Sequence, residues 1–95
     1  MSKKDKGKPP IQLIEPDFIF GIADALAFGA DKYGPNDWKK SIPDDINRTF
    51  GSIQRHLWHW KQGEIKDPES GLNHLLHATS QIMFLYYKTT HKKIN

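Results

Sequence analysis

Cysteine is absent from the 95 residues, which excludes a disulfide staple, a thiolate metal site and a cysteine nucleophile. Any metal would have to be held through nitrogen and oxygen. No apolar run approaches the roughly 20 residues that span a bilayer. The N-terminus carries no secretory h-region, so the chain reads as cytoplasmic. No stretch alternates apolar and polar residues for long enough to make a convincing strand, and no segment repeats. Also missing are G-x-x-x-x-G-K-[ST], G-x-S-x-G and H-E-x-x-H, which removes the familiar phosphate-loop, serine-hydrolase and zinc-protease routes.

The length fits one domain, residues 1 to 95, with a single core and little margin. Hydrophobic residues make up 37 % and aromatics 12 %, which suits a core built from a few large side chains. The formal charge of +3 is unevenly spread. Lys3, Lys4, Lys6 and Lys8 form a basic N-terminal arm, and Lys88, Lys92 and Lys93 a basic tail. The arm (about 1–10) and tail (about 88–95) read as flexible. With these ends removed the middle is no longer basic, so net charge does not argue for nucleic acid.

Helical signals fill the middle. Residues 1 to 10 are expected to be extended. Pro16 starts a helix with Asp17 near its positive end, and Ile19, Ile22, Ala23, Leu26 and Ala27 carry it to about Ala30. The turn formers Tyr33 to Asp37 close it. Asp44 or Asp45 can cap a second helix, whose apolar positions Ile46, Phe50, Ile53, Leu57 and Trp60 run to about Gln62, with Gly63 as the stop. Asp67-Pro68-Glu69-Ser70-Gly71 is a turn expected also to start the third helix. Its buried face is predicted to be Leu72, Leu75, Leu76, Ile82, Met83, Leu85 and Tyr86, to about Tyr87. Three helices with short connections give an all-α bundle. One broad apolar face per helix in so short a chain implies that oligomerisation, at least to a homodimer, completes the core.

The chemistry gathers between Arg55 and His77. His56 and His59 form an i, i+3 pair on the second helix, and His74 and His77 repeat that spacing on the third. Paired side chains on adjacent helices are how bundle interiors assemble metal or proton-transfer sites. Glu64 and Asp67 lie between them, and carboxylate oxygens suit Mg²⁺ or Mn²⁺. The plainer readings are that each histidine is separately structural and that Asp67 only makes an Asx-type turn with Ser70. His91 lies in the tail and takes the plain reading. A second constellation runs from Lys32 to Lys40. Tyr33 or Trp38 could stack on a base, Asn36 could read its edge, and the lysines could meet phosphates. Its plainer reading is a loop pinned to the core by two aromatics.

The motifs Asp5-Lys6-Gly7-Lys8-Pro9, then Gly29-Ala30-x-Lys32-Tyr33-Gly34-x-Asn36-x-Trp38, then Arg55-His56-Leu57-x-x-Trp60-x-x-Gly63-Glu64-x-x-Asp67-x-Glu69-Ser70-Gly71-x-x-His74-x-x-His77-Ala78 resemble the phage dATP/dGTP diphosphohydrolase family. That family is similar to the MazG-like all-α nucleoside triphosphate pyrophosphohydrolases. The likeness runs from about Lys6 to Leu85. It implies cleavage of a purine deoxynucleoside triphosphate to monophosphate and pyrophosphate in phage nucleotide metabolism, in the host cytoplasm, by an oligomeric helical bundle with Mg²⁺ or Mn²⁺. Carried over by position, Glu64, Asp67, His74 and His77 become metal ligands, and His56, Glu64 and His74 catalytic groups. Arg55 and Lys61 would bind phosphate, with Lys32, Tyr33, Asn36 and Trp38 around the nucleoside. Where MazG-like enzymes carry E-x-x-E on a helix, this chain has histidines, and its E-x-x-D lies in the connection. The alternative is a non-catalytic protein that sequesters a nucleotide and so counters a host nucleotide signal.

Overall fold

A computed structural model describes residues 6–35 and 45–91, apart from the side chains of Tyr33 and Asp45. Among these residues there are three α-helices and no strand: α1 (Pro16–Tyr33), α2 (Asp45–Lys61) and α3 (His74–Thr90), preceded by one 3₁₀ turn at Ile11–Leu13. This is the all-α bundle expected. Lys6 to Lys8 form a turn, with Gly7 at φ 85°, where an extended arm was expected.

Each helix end has a local cause. α1 opens on Pro16 with Asp17 in its first turn and Lys32 in its last, both favourable to the helix dipole. It runs past Ala30 because Asp31, Lys32 and Tyr33 contain no breaker. Gly34, at φ 97°, ends it by donating its N–H to the Ala30 carbonyl at 2.8 Å. α2 ends in a Schellman motif. Gly63 turns the chain at φ 105° and donates to Trp60 O (3.0 Å), and the Glu64 N–H reaches His59 O (2.9 Å). That fold-back brings Glu64 alongside the last turn of α2.

α3 starts later than expected. Residues 67 to 71 form a self-contained turn: Asp67 N–H donates to Leu72 O (2.8 Å), Gly71 N–H to Asp67 O (2.7 Å), and Gly71 sits at φ 75°. A positive φ cannot continue into a helix. The helix therefore waits for Asn73, whose side chain accepts the Leu75 N–H at 2.8 Å as the N-cap. It also runs on to Thr90, beyond the expected end near Tyr87.

α1 and α2 both pack on α3 and touch each other little. The close approach of α1 to α3 depends on small residues: Gly21 and Ala25 are buried, one turn apart, and a Cβ on Gly21 would lie 2.7 Å from both methyls of Leu76. The apolar positions of α2 are divided: Ile53 is buried and Ile46 intermediate, whereas Phe50 is 50 % exposed and Leu57 39 %. Beside Ile53 the helix turns the half-buried His56 toward α3, where it bonds to His74. Likewise the buried residues of α3 are His74, His77, Ala78 and Ser80, while Ile82 and Tyr86 are exposed. No described helix is long and apolar enough to cross a membrane.

Candidate metal and nucleotide site

The two i, i+3 pairs interleave. His56 stacks on His77 with ring centroids 5.0 Å apart and planes 15° apart, and His59 stacks on His74 at 5.4 Å and 19°. The diagonal pair meets edge to edge, with the Nδ1 atoms of His56 and His74 2.8 Å apart. His74 is 1 % exposed, and its Nε2 lies 2.8 Å from Glu64 Oε1. An ionised carboxylate only accepts, so Nε2 of His74 carries the proton and its Nδ1 presents a lone pair to His56. Glu64 also lies 3.7 Å from His59 Nδ1.

Asp67 comes in from the connection. Its Oδ2 accepts the Ser70 N–H at 3.0 Å, the Asx-type turn the sequence allowed. It also offers an oxygen to a group of three, His56, Asp67 and His74, whose ligand atoms all lie within 4.8 Å of one another. The turn and the cluster therefore use the same residue. His77 stands outside this group: its Nε2 is 2.6 Å from Ser70 Oγ, which itself accepts the Leu72 N–H at 3.1 Å. Ser70 thus fixes the ring that supports His56.

Burial lowers His56 from 6.5 to about 4, helped by neighbouring His77 and His74 and opposed by Asp67. Burial also lowers His77, against the pull of Asp67. For Asp67 burial acts upward, but hydrogen bonds from Ser70 and the nearby His77 and His56 outweigh it and hold the carboxyl below its ordinary value. Histidines held low in the native state take up protons less readily than in the unfolded chain. Their contribution is complete above about pH 6.5 and is lost as pH falls toward about 4. The urea midpoint of metal-free protein is expected to drop across that window, and His56→Asn to flatten part of the drop. A midpoint independent of pH there would contradict this environment for His56.

The cluster opens onto a cleft of about 1290 Å³ between α1 and α2, floored by α3. Leu26 and Phe28 of α1 and Phe84 of α3 give it apolar walls, and Lys32, Arg48, Arg55 and Lys88 bring positive charge. Lys32 pairs with Glu69 at 2.8 Å. Of the residues singled out from the sequence, His56, Asp67, His77, Lys32 and Arg55 line this cleft. Glu64 and His74 line a smaller pocket that shares His56, Arg55 and Asp67. Lys61, the exposed last residue of α2, lines neither. Tyr33 closes α1, and Asn36 and Trp38 lie outside the described residues. Arg48, Gln81 and Lys88 were not foreseen. The signal for Arg48 was there: Arg48, Ser52, Arg55, His56 and His59 fall at helical spacing on one polar stripe. For Gln81, whose Oε1 is buried without a hydrogen-bond partner, nothing in the sequence stood out.

The model of the family described as dATP/dGTP diphosphohydrolase, N-terminal, matches residues 1–95. The chain belongs to this family. Among curated proteins, a dATP/dGTP diphosphohydrolase of Salmonella phage PMBT28 is 36 % identical over 85 residues. The aligned part is 90 % of this chain and 28 % of the phage protein, so the chain spans little more than a quarter of that relative. No solved structure matches. This member of the family brings the clustered histidines, the acidic turn and the cation-lined cleft together on one all-α scaffold.

Proposed function

We propose that this domain hydrolyses purine deoxynucleoside triphosphates to monophosphate and pyrophosphate with the help of a divalent cation, Mg²⁺ or Mn²⁺. The observation that carries the reading is the convergence of His56, Asp67 and His74 beside a cleft lined by cations. The substrate class follows the name of the phage relative.

The donor set fits an ion. The Nδ1 atoms of His56 and His74 stand 2.8 Å apart, and Asp67 completes a group within 4.8 Å, so one ion could be held by all three residues. When bound, such an ion supplies Lewis acidity toward phosphate oxygens and lowers the pKa of a water. The side chains do the rest. Glu64 holds the proton of His74 on Nε2 and keeps Nδ1 turned inward. Burial holds His56 low, so at neutral pH its ring is uncharged and has a lone pair available to an ion. Arg55, Arg48 and Lys88 set positive charge along the cleft for the phosphates. Phe28 and Phe84 offer flat apolar surface to a base.

A second copy of the chain is the proposed cover for the exposed Phe50, Leu57, Trp58 and Trp60 of α2, because the buried apolar residues among those described, Ala25, Ile53 and Ala78, are few and small. In an infected cell such an enzyme would act on the nucleotide pool of the host cytoplasm. Binding without turnover is the second reading, favoured by the 28 % coverage of the phage relative.

The test is incubation of the protein with mixed dNTPs and Mn²⁺ or Mg²⁺, with products separated by chromatography and the oligomer sized by gel filtration of the same sample. Expected are a purine monophosphate, pyrophosphate, loss of both with EDTA, and elution at or above the dimer. Retained but uncleaved nucleotide would shift the reading to sequestration. Elution as a monomer at every concentration would remove the second copy.

A further inference from the structure

We infer that the resident ion of this site is an imidazole-preferring transition metal, Fe²⁺, Co²⁺ or Zn²⁺, with Mn²⁺ weaker and Mg²⁺ much weaker, and that Glu64 is its positioning residue. The inference deepens the hydrolase reading and rests on the same cluster, but its test needs no nucleotide.

Three features carry it. The first is the donor set. Two imidazoles and one carboxylate make up the group of three. Imidazole nitrogen suits first-row transition ions, and two histidines with one carboxylate leave positions open for water or substrate. Mg²⁺ takes oxygen, usually from one or two carboxylates and substrate phosphates, and dehydrates reluctantly. Asp67 is the one carboxylate in the group.

The second feature is the proton count on His74. Glu64 accepts from Nε2 at 2.8 Å, so Nδ1 of that ring is a bare lone pair aimed at Nδ1 of His56, itself 2.8 Å away. Without an ion, His56 donates its Nδ1–H to this lone pair; an ion held between the rings would take the place of that proton, with His56 then protonated on Nε2. A carboxylate, a histidine and an inward lone pair in that order are the usual support of a metal-bound imidazole. The third is rigidity. His74 is 1 % exposed, and His56 and His74 are each backed by a parallel ring, His77 and His59. Imidazoles held this way cannot turn aside to let water or carboxylate oxygens replace them, so the donor set stays rich in nitrogen. Mg²⁺ would then enter the cleft with the triphosphate and not as a resident of the cluster.

The experiment is titration of the full, metal-stripped chain with Zn²⁺, Co²⁺, Mn²⁺ and Mg²⁺ by calorimetry, with the visible absorption of Co²⁺ followed in parallel. The expected result is one ion per chain, with the order Zn²⁺, Co²⁺, Mn²⁺, Mg²⁺ and at least about 100-fold between Co²⁺ and Mg²⁺. Glu64→Ala should weaken Co²⁺ binding about 10- to 100-fold and alter its spectrum, and Glu64→Gln should restore part of both. Glu64 is half-exposed and outside the helices, so these variants keep the fold, which circular dichroism checks. His91→Ala should change nothing. Mg²⁺ binding as tightly as Co²⁺, or Co²⁺ binding that survives His56→Gln unchanged, would overturn the inference. The wild-type titration decides the metal order even where a variant misfolds. Tight Co²⁺ binding without dNTP cleavage would sink the hydrolase reading alone. Cleavage with Mg²⁺ in a chain that binds no transition ion would sink the metal inference alone.

Discussion

Asp67→Asn is expected to lower kcat/KM for dNTP cleavage about 1000-fold, or about 4 kcal/mol of transition-state stabilisation, with the fold retained. The substitution is chosen because Asp67 does two things at once. Its Oδ2 accepts the Ser70 N–H and so closes the turn before α3, and the same carboxylate belongs to the group with His56 and His74. Asparagine keeps an oxygen for the Ser70 N–H and so preserves the Asx-type turn. It loses the negative charge that an ion requires. A purely structural Asp67 would therefore tolerate the change at a cost of about 1 kcal/mol in stability, the difference between a charged and a neutral hydrogen bond. Wild-type turnover by Asp67→Asn would mean that the turn is its only role. Loss of turnover with an unchanged urea midpoint would place the charge in the chemistry.

Gly21→Val is expected to cost about 2 kcal/mol, a fall in Tm of roughly 10 °C for a domain of this size. Two effects compete. Replacing glycine inside a helix normally gains up to about 0.5 kcal/mol for valine, from lost freedom of the unfolded chain. Here the new Cβ would stand 2.7 Å from both methyls of Leu76 and 3.3 Å from its Cγ. Both methyls and the Cγ can give way only together, by a change of the Leu76 rotamer, and valine adds two further carbons beyond the Cβ. Overpacking wins. Leu76→Ala in the same chain should recover at least about 1 kcal/mol relative to the sum of the single changes, as coupled neighbours do. Strict additivity would show that α1 and α3 do not meet at this point.

The clustering of the candidate side chains was largely legible because its signals are short-range. The histidine pairs sit at helical spacing, Gly63 marks the stop that folds Glu64 back, and Asp67 to Gly71 is dense in turn formers. Which partner each group would choose was not legible, since that depends on how α2 meets α3. Glu64 went to His74, and His77 to Ser70. The seating of α2 was hidden for a related reason. Its apolar and polar stripes are both continuous, and periodicity finds a stripe without saying which way it faces. The pairing of His56 with His74 across the bundle goes with a rotation that buries Ile53 and leaves Phe50 half-exposed. α3 was begun too early because Asp67 and Ser70 look like a cap, whereas Gly71 at φ 75° forces a second start at Asn73. The loop reading at Asn36 and Trp38 lies outside the described residues.

Every member of the ion cluster falls between residues 56 and 74, on one hairpin, whereas the cleft also draws on α1. The two halves meet where Lys32 pairs with Glu69 and where Phe28 packs edge-on against His77. Positions of α1 away from those two contacts, such as Leu26, can therefore change over generations without disturbing the hairpin. A small bundle of this kind is a reusable cassette: one inherited histidine turn, offered to whatever ligand the facing helix is reshaped to hold.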